Sequence, residues 1–303
     1  MKRFFQDTQQ SSSDTAFPFN IPGTQRSVRA PAPSSDAFPF TLPDGIRAVQ
    51  LPPPRPEPLP PSKQISCKSV LERLAITPEQ SAAISAIPQG TQPWLDARKN
   101  RLTASNFGAA VGMNRYKSPR GLVKDMLWNT FKGNQATRWG SEHEDIARDA
   151  YVAKMQADID AGVGPYTSIR VEESGLHVNP ERPWLGSSPD GVVHVTTRDG
   201  GAHKFLLEIK CPFRKQFYQP PVPVYYNCQI QGVMANMDLP YCDFVVWIPG
   251  DLQITRVDFD TEFWNSTLFP KLDSFYHTMY LPAAVAKHNG LLGQGEIDVP
   301  LEL

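Results

Sequence analysis

Apolar and polar positions alternate in the middle of the chain. Val192-Val193-His194-Val195 and Phe205-Leu206-Leu207-Glu208-Ile209-Lys210 are β-branched or apolar runs bounded by turn residues, which predicts two strands. Ser188-Pro189-Asp190-Gly191 opens the first, with Pro fixing one φ and Gly free to take a positive one, and Thr197-Arg198-Asp199-Gly200-Gly201 turns it back. The pair reads as a hairpin. Side chains at i and i+2 share a strand face, so Glu208 and Lys210 point one way and Leu207 and Ile209 point the other way into the core. Further strands are predicted at 169–172, 174–178, 241–247 and 253–259, with Trp184-Leu185-Gly186 leading into the hairpin. Three antiparallel strands in a row are expected.

Helical spacing and caps predict the rest. Short helices are expected at 66–74 and 77–87, the second capped by Thr77 with Pro78 in its first turn. Thr103 is placed to cap a helix over 104–111. Ser118-Pro119 begins another, with Leu122, Val123, Met126 and Leu127 on its core face and Trp128 and Phe131 at its end. An acid-rich helix spans 137–160, and one over 225–237 follows the break at Pro220–Pro223. Asp260 caps a last helix carrying Phe263, Trp264, Leu268, Leu272 and Phe275. The fold class expected is α/β, a mixed, mostly antiparallel sheet flanked by helices.

Composition changes this picture at the ends. Thirteen of the thirty prolines precede Ser62, among many Ser, Thr and Gln. Such a segment buries little, so 1–63 is expected to be a disordered Pro-rich tail, with 51–61 an extended polyproline stretch. Within it Ala16-Phe17-Pro18-Phe19-Asn20-Ile21-Pro22 returns 21 residues later as Ala37-Phe38-Pro39-Phe40-Thr41-Leu42-Pro43. A twice-repeated aromatic motif suits bivalent docking of a protein partner. A domain is expected over 64–285 and a loosely held extension over 286–303. Net charge is −1, so nucleic-acid binding must rest on a local patch. No apolar run is long enough for a membrane span and the N-terminus lacks a secretion signal, so an intracellular protein is expected. The four cysteines, Cys67, Cys211, Cys228 and Cys242, form no CxxC pair and read as reduced thiols rather than a zinc site.

The candidate chemistry lies on the hairpin. Asp190 begins the first strand, so the turn can bring its carboxylate beside that of Glu208. Two adjacent carboxylates repel unless a cation lies between them. Hard oxygen ligands suit Mg²⁺, with Mn²⁺ as the alternative. Lys210 adds a positive charge placed to hold an attacking water and help deprotonate it. An acid and a Glu-x-Lys alone would equally describe a solvated surface hairpin, but here the charges are embedded in apolar residues, where an unpaired charge is costly.

Ser188-Pro189-Asp190-Gly191 with Leu207-Glu208-Ile209-Lys210-Cys211-Pro212 resembles the PD-(D/E)XK nuclease superfamily, and within it the phage lambda exonuclease and YqaJ-type viral recombinase branch. The resemblance runs from about Trp94 to Tyr280 and implies a restriction-endonuclease-like core. It implies a Mg²⁺-dependent deoxyribonuclease, a 5′→3′ exonuclease on double-stranded DNA ends. Asp190, Glu208 and the carbonyl of Ile209 would bind the metal. Gly140 to Glu144 matches the family's Gly-x-x-x-Glu helix, making Glu144 a further active-site acid, with Glu142 and His143 as competitors. Tyr226-Asn227-Cys228-Gln229-Ile230-Gln231 resembles its Tyr-x-x-Gln-x-Gln helix; Gln229 is favoured to face the site, with Gln231 second. Trp94, Arg98 and the Thr103-Ala104-Ser105 helix start resemble its opening motif. Arg98, Ser105 and Ser188 would then hold a DNA phosphate, which suits a bidentate guanidinium and free helix N–H groups. Lys99, Arg101, Arg214 and Lys215 are further candidates for DNA backbone contacts. The resemblance also implies viral DNA recombination or genome processing, in the cytoplasm or a host nucleus. A single-strand annealing protein as partner and a homo-oligomer are compatible with it. The alternatives are a structure-specific endonuclease or resolvase on the same core, or a non-catalytic DNA-binding scaffold.

Overall fold

The computed structural model describes residues 55–129 and 133–299. The Phe-Pro-Phe repeat and Phe131 lie outside the described residues.

Side-chain caps set where the early helices begin. Ser66 and Ser69 form a capping box ahead of α1 (Cys67–Leu74), and Thr77 and Gln80 do the same for α2 (Pro78–Ser85). α3 (Gln92–Arg98) leads into a two-residue strand, β1 (Leu102–Thr103). The helix predicted over 104–111 is instead a 3-10 turn at Ala104–Asn106 followed by the four-residue α4 (Phe107–Ala110), and Thr103 makes no capping hydrogen bond. α4 is held by packing. A side chain at Gly232 would meet the ring of Phe107 at 2.3 Å, so only glycine lets α4 press against the helix that carries residue 232. α5 (Pro119–Trp128) starts behind Ser118 as expected. α6 (Gln135–Asp160) begins two residues early, because Asn134 is the cap and Thr137 its capping-box partner.

The main sheet has five strands, in the order β2 (Tyr166–Glu172), β4 (Gly191–Thr197), β5 (Ala202–Lys210), β6 (Tyr241–Ile248), β7 (Asp251–Asp258). The short β3 (Leu185–Gly186) pairs with β1 in parallel. All neighbours in the main sheet are antiparallel except β5 and β6. That one parallel step is bridged by α7 (Val224–Met237), the kind of crossover a parallel pair requires. β2, β4 and β5 are the three antiparallel strands foreseen. The stretch 174–178 forms no strand and makes only one bridge, His177 to Ser187. Gly191 stays extended rather than taking a positive φ; a side chain there would meet Val171 at 2.7 Å.

Both faces of the sheet are covered. Phe205, Leu207 and Ile209 join Ala147 and Tyr151 of α6 in one core cluster. Leu206, Phe244 and Val246 join Ile230, Val233 and Met234 of α7 in the other. The face carrying Glu208 is therefore buried as well, under α7. Towards the C-terminus, α8 (Thr261–Phe263), α9 (Phe269–Ser274) and α10 (Leu281–His288) are joined by π turns into one helical run. The end of the chain is packed more firmly than its composition suggested. Ala283, Val285, Ala286 and Leu292 are buried, and Asn289 clamps the backbone of Ile65 in both directions at 2.9 and 3.0 Å. Residues 55–63, expected as tail, lie along this segment: Arg55 pairs with Glu296 at 2.9 Å and the Leu59 N–H donates to the Asn289 carbonyl at 2.9 Å.

Candidate active site

The hairpin register places the acids. Gly191 stands opposite Leu207, so Asp190, one residue earlier, comes beside Glu208. Asp190 is anchored by its own carboxylate, which accepts the Ile209 N–H at 2.7 Å. Its carbonyl accepts from Arg148 Nε at 3.2 Å, and the preceding Pro189 carbonyl accepts from Gln89 at 2.9 Å. Glu208 is fully buried. Its Oε1 accepts from Lys210 Nζ and from Gln229 Nε2, while its Oε2, also buried, has no partner. An unsatisfied buried carboxylate oxygen is expensive. Burial first, and then the nearby Asp190, push the Glu208 carboxyl up to about 8. Asp190 is raised as well, chiefly by burial, with Lys210 opposing.

Glu144 comes from α6 to the same cleft. Glu144, Asp190, Ile209 and Lys210 line a cavity of about 260 Å³, together with Tyr218 and Tyr226. Burial and the Asp190 charge raise the Glu144 carboxyl to about 7, against the pull of Arg148 at 3.5 Å. Its competitors face elsewhere. Glu142 is exposed, and His143 donates to the Trp139 carbonyl at 2.9 Å and stacks on that ring at 3.7 Å. Among the described residues no three His, Cys, Asp or Glu side chains stand together at metal-ligand spacing. The donor set on offer is two neighbouring carboxylates, one of them with a free oxygen, and the Ile209 carbonyl, with Glu144 across the cleft. Those hard oxygens fit Mg²⁺. Lys210 is four-fifths buried, and its ammonium lies 5.2 Å from the centre of the Tyr226 ring. Glu208 and Asp190 hold its pKa above the ordinary lysine range despite desolvation.

Arg98 and Ser188 also come together. Arg98 donates to Ser188 Oγ at 3.4 Å, Trp94 Nε1 donates to the same oxygen at 3.2 Å, and the guanidinium lies 4.1 Å from the Trp94 ring centre. Arg98 has no carboxylate partner among the described residues, and burial lowers its pKa to about 10. A half-buried, unpaired guanidinium beside a serine hydroxyl is suited to an oxyanion. Ser105 does not join it: it is exposed on the 3-10 turn and makes no hydrogen bond to either residue.

One of the basic candidates is corrected. Arg101 is buried, its guanidinium spent on the carbonyls of Leu74, Ala97 and Pro183 at 2.7–3.1 Å, so it is not open to a phosphate. Lys99 is paired with Asp96 at 2.6 Å. Arg214 and Lys215 remain exposed, Lys215 lying over Trp139. Gln231 is structural: it donates to the Asp258 carbonyl and accepts from the Asp260 N–H at 2.9 and 2.8 Å. Arg148 and Gln89, which anchor the acidic loop, were not foreseen; their partners lie 42 and 100 residues away. The four cysteines are free thiols, Cys228 and Cys242 buried and the other two partly so. No helix of the described residues is long and apolar enough to cross a membrane.

A mixed sheet with helices on both faces, carrying Asp190, Glu208 and Lys210 at one end of its central hairpin, defines a PD-(D/E)XK-type core. Residues 93–238 match the family model of the YqaJ-like viral recombinase domain, just under half of the chain and spanning the candidate site residues from Arg98 to Gln229. An uncharacterised protein of Acanthamoeba polyphaga mimivirus is 27% identical over 176 residues, 54% of this chain and 30% of its own. A protein of African swine fever virus (strain Badajoz 1971 Vero-adapted) is 27% identical over 168 residues, 48% of this chain and 46% of its own. The chain thus spans less than half the length of these curated relatives. Among solved structures, an alkaline exonuclease from Laribacter hongkongensis (LHK-Exo) is similar at 25% identity and a TM-score of 0.48, over 65% of this chain and 95% of that one. Its complex with dAMP gives 24% and 0.49 over the same shares.

Proposed function

We propose that this chain is a Mg²⁺-dependent deoxyribonuclease, a 5′→3′ exonuclease acting on double-stranded DNA ends in viral recombination or genome processing. The observation that carries the reading is the unpartnered Oε2 of Glu208, buried beside Asp190. A buried carboxylate oxygen without a partner is costly, and a bound cation would satisfy it. Asp190, Glu208 and the Ile209 carbonyl would hold the cation, with Glu144 reaching in from α6. When bound, the cation supplies a water of lowered pKa and neutralises charge on the scissile phosphate. Lys210 is placed to hydrogen-bond the attacking water and the charge that builds up on the phosphate oxygens. Gln229 holds Oε1 of Glu208, which leaves Oε2 free of any protein partner. Arg98 and Ser188 would take the 5′-phosphate of the strand being degraded. The match to the YqaJ-like viral recombinase family model supports DNA as the substrate.

The test is digestion of a linear duplex, with and without a 5′-phosphate, against a closed circle, in Mg²⁺ and with Lys210→Ala as control. Nucleotide release from the linear substrate alone, faster with the 5′-phosphate and lost in the variant, is the expected result. Cutting of the circle would make the chain an endonuclease on the same core. No Mg²⁺-dependent loss of either substrate would leave a DNA-binding scaffold.

A further inference from the structure

A row of tyrosines leads out of the cleft. Tyr226 lines it beneath Lys210. Tyr225 follows with its ring centre 4.4 Å from that of Tyr226, and Tyr116 lies edge-on to Tyr225 at 5.9 Å. Arg115 closes the row, its guanidinium 4.7 Å from the Tyr116 ring centre. Two elements distant in sequence build the row. The loop after α4 presents Tyr116, whose N–H donates to Asn114 Oδ1 at 2.8 Å, and the first turn of α7 presents Tyr225 and Tyr226. Beside the row lies a second cavity of about 280 Å³, lined by Met113, Arg115, Tyr218, Val224 and Tyr225. Tyr218 lines both cavities, so they share a wall.

The outer part of this row is not used by the core. Tyr116 is 70% exposed and Val224 48%. The other exposed large apolar side chains among the described residues, Leu95, Ile146, Val163 and Phe213, lie elsewhere in the chain. Exposed rings gathered beside a cleft mark a binding surface. Arg115 makes no ion pair among the described residues, so its charge is available to a ligand.

We propose that Tyr116 and Tyr225, with Arg115, form a stacking platform for the unpaired bases of single-stranded DNA running to or from the catalytic cleft. The proposal rests on the nuclease reading of the cleft. Every nucleobase has a π face, so a row of phenol rings binds bases without regard to sequence. The cation at the outer end faces the phosphates, and the inner end meets the lysine that would face the scissile one. A row of rings with a cation at each end matches the bases and phosphates of a polynucleotide.

The test is fluorescence anisotropy on the full chain in EDTA, which stops hydrolysis. The probes are labelled single strands of about ten nucleotides, a length within the range one binding groove takes. One carries bases and one is abasic on the same backbone. Both have 5′-hydroxyl ends, which removes any contribution of Arg98. The base-containing strand should bind roughly tenfold more tightly. Tyr116→Ala and Tyr225→Ala should each remove most of that difference, and Tyr116→Phe should keep it. Tyr116 is surface-exposed, so its alanine variant will fold, and a thermal melt checks both. Equal binding of the two strands by the unmodified chain, or an unchanged difference in a folded Tyr116→Ala variant, would overturn the platform. Duplex digestion in Mg²⁺ reports separately on the nuclease. An inactive protein that still prefers bases would sink that reading and not this one.

Discussion

Replacing Glu208 by glutamine keeps its shape and removes its charge, which isolates the feature on which the site depends. The carboxyl is fully buried and its pKa stands at about 8 against an ordinary value of 4.5. Between those values the folded chain holds a proton that the unfolded chain has already released. For an acid raised in this way, stability is greatest below the unfolded pKa and is lost as pH rises to the folded one. Lys210 adds no slope here, because its ammonium is charged in both states throughout. The slope is about 1.4 kcal/mol per pH unit, so Glu208 by itself should cost the metal-free protein roughly 3–5 kcal/mol between pH 4.5 and 8. Glu144, raised to about 7, works in the same direction and persists in the variant. Urea unfolding in EDTA across this range should therefore give a steeper fall for the parent chain than for Glu208→Gln, by roughly 3–5 kcal/mol over the range, with unchanged m values. Repeating the series in Mg²⁺ at ten times its Kd should restore about 1.4 kcal/mol to the parent at pH 8 and nothing to the variant. Parallel pH profiles for the two proteins, or equal stabilisation of both by Mg²⁺, would refute the reasoning.

Four further outcomes follow from the same geometry. Lys210→Ala should lower single-turnover cleavage of linear duplex by about 10²–10³-fold while duplex binding in EDTA is retained. Arg98→Ala should raise KM for 5′-phosphorylated ends by about tenfold and leave it unchanged for 5′-hydroxyl ends, as expected for loss of one charge-assisted contact. Arg256→Ala should destabilise the fold by about 2–3 kcal/mol in urea, because it strips the buried Asp243 of its cation, yet leave the Mg²⁺ dependence of cleavage unaltered. Burial, with Lys204 nearby, depresses the His177 imidazole to about 4, so below pH 6.5 the unfolded chain takes up a proton that the folded chain refuses. Relative to His177→Gln, the parent chain should lose up to about 3 kcal/mol between pH 6.5 and 4, read as the difference between the two proteins' urea curves.

What could be read from the sequence followed how local the determinants are. The alternation at 205–210 located Glu208 and Lys210 on one face because strand geometry is local, and the turn at 188–191 located Asp190 because a hairpin carries its own register. The caps at Thr77 and Asp260 and the helix start at Ser118-Pro119 were visible for the same reason. The errors lie where a distant element decides. Thr103 reads as a cap, but α4 is shaped by Phe107 pressing on Gly232 across the α4–α7 contact. Arg101 reads as a surface cation beside Lys99, but three carbonyls from separate parts of the chain enclose it. Arg148 looks like an ordinary helix charge until β4 brings the Asp190 carbonyl to it.

Asp243 shows that register also separates a structural acid from a functional one. Cys242-Asp243-Phe244 and Leu207-Glu208-Ile209 are the same pattern, one acid between apolar residues in a buried strand. The strands β5 and β6 are even neighbours in the sheet. The difference is what each acid meets. The turn at Pro249-Gly250 joins β6 to β7 with Asp243 directly opposite Arg256, which donates to it at 2.9 and 3.2 Å, while Tyr151 donates at 2.8 Å. Both oxygens of Asp243 are satisfied within the fold. Glu208 has a lysine and a glutamine on one oxygen and nothing on the other, and it stands beside a second carboxylate where a cation would relieve both. A buried acid whose partner can be found by counting across a hairpin is part of the scaffold. One whose count ends on another acid is where an ion or a substrate has to be sought.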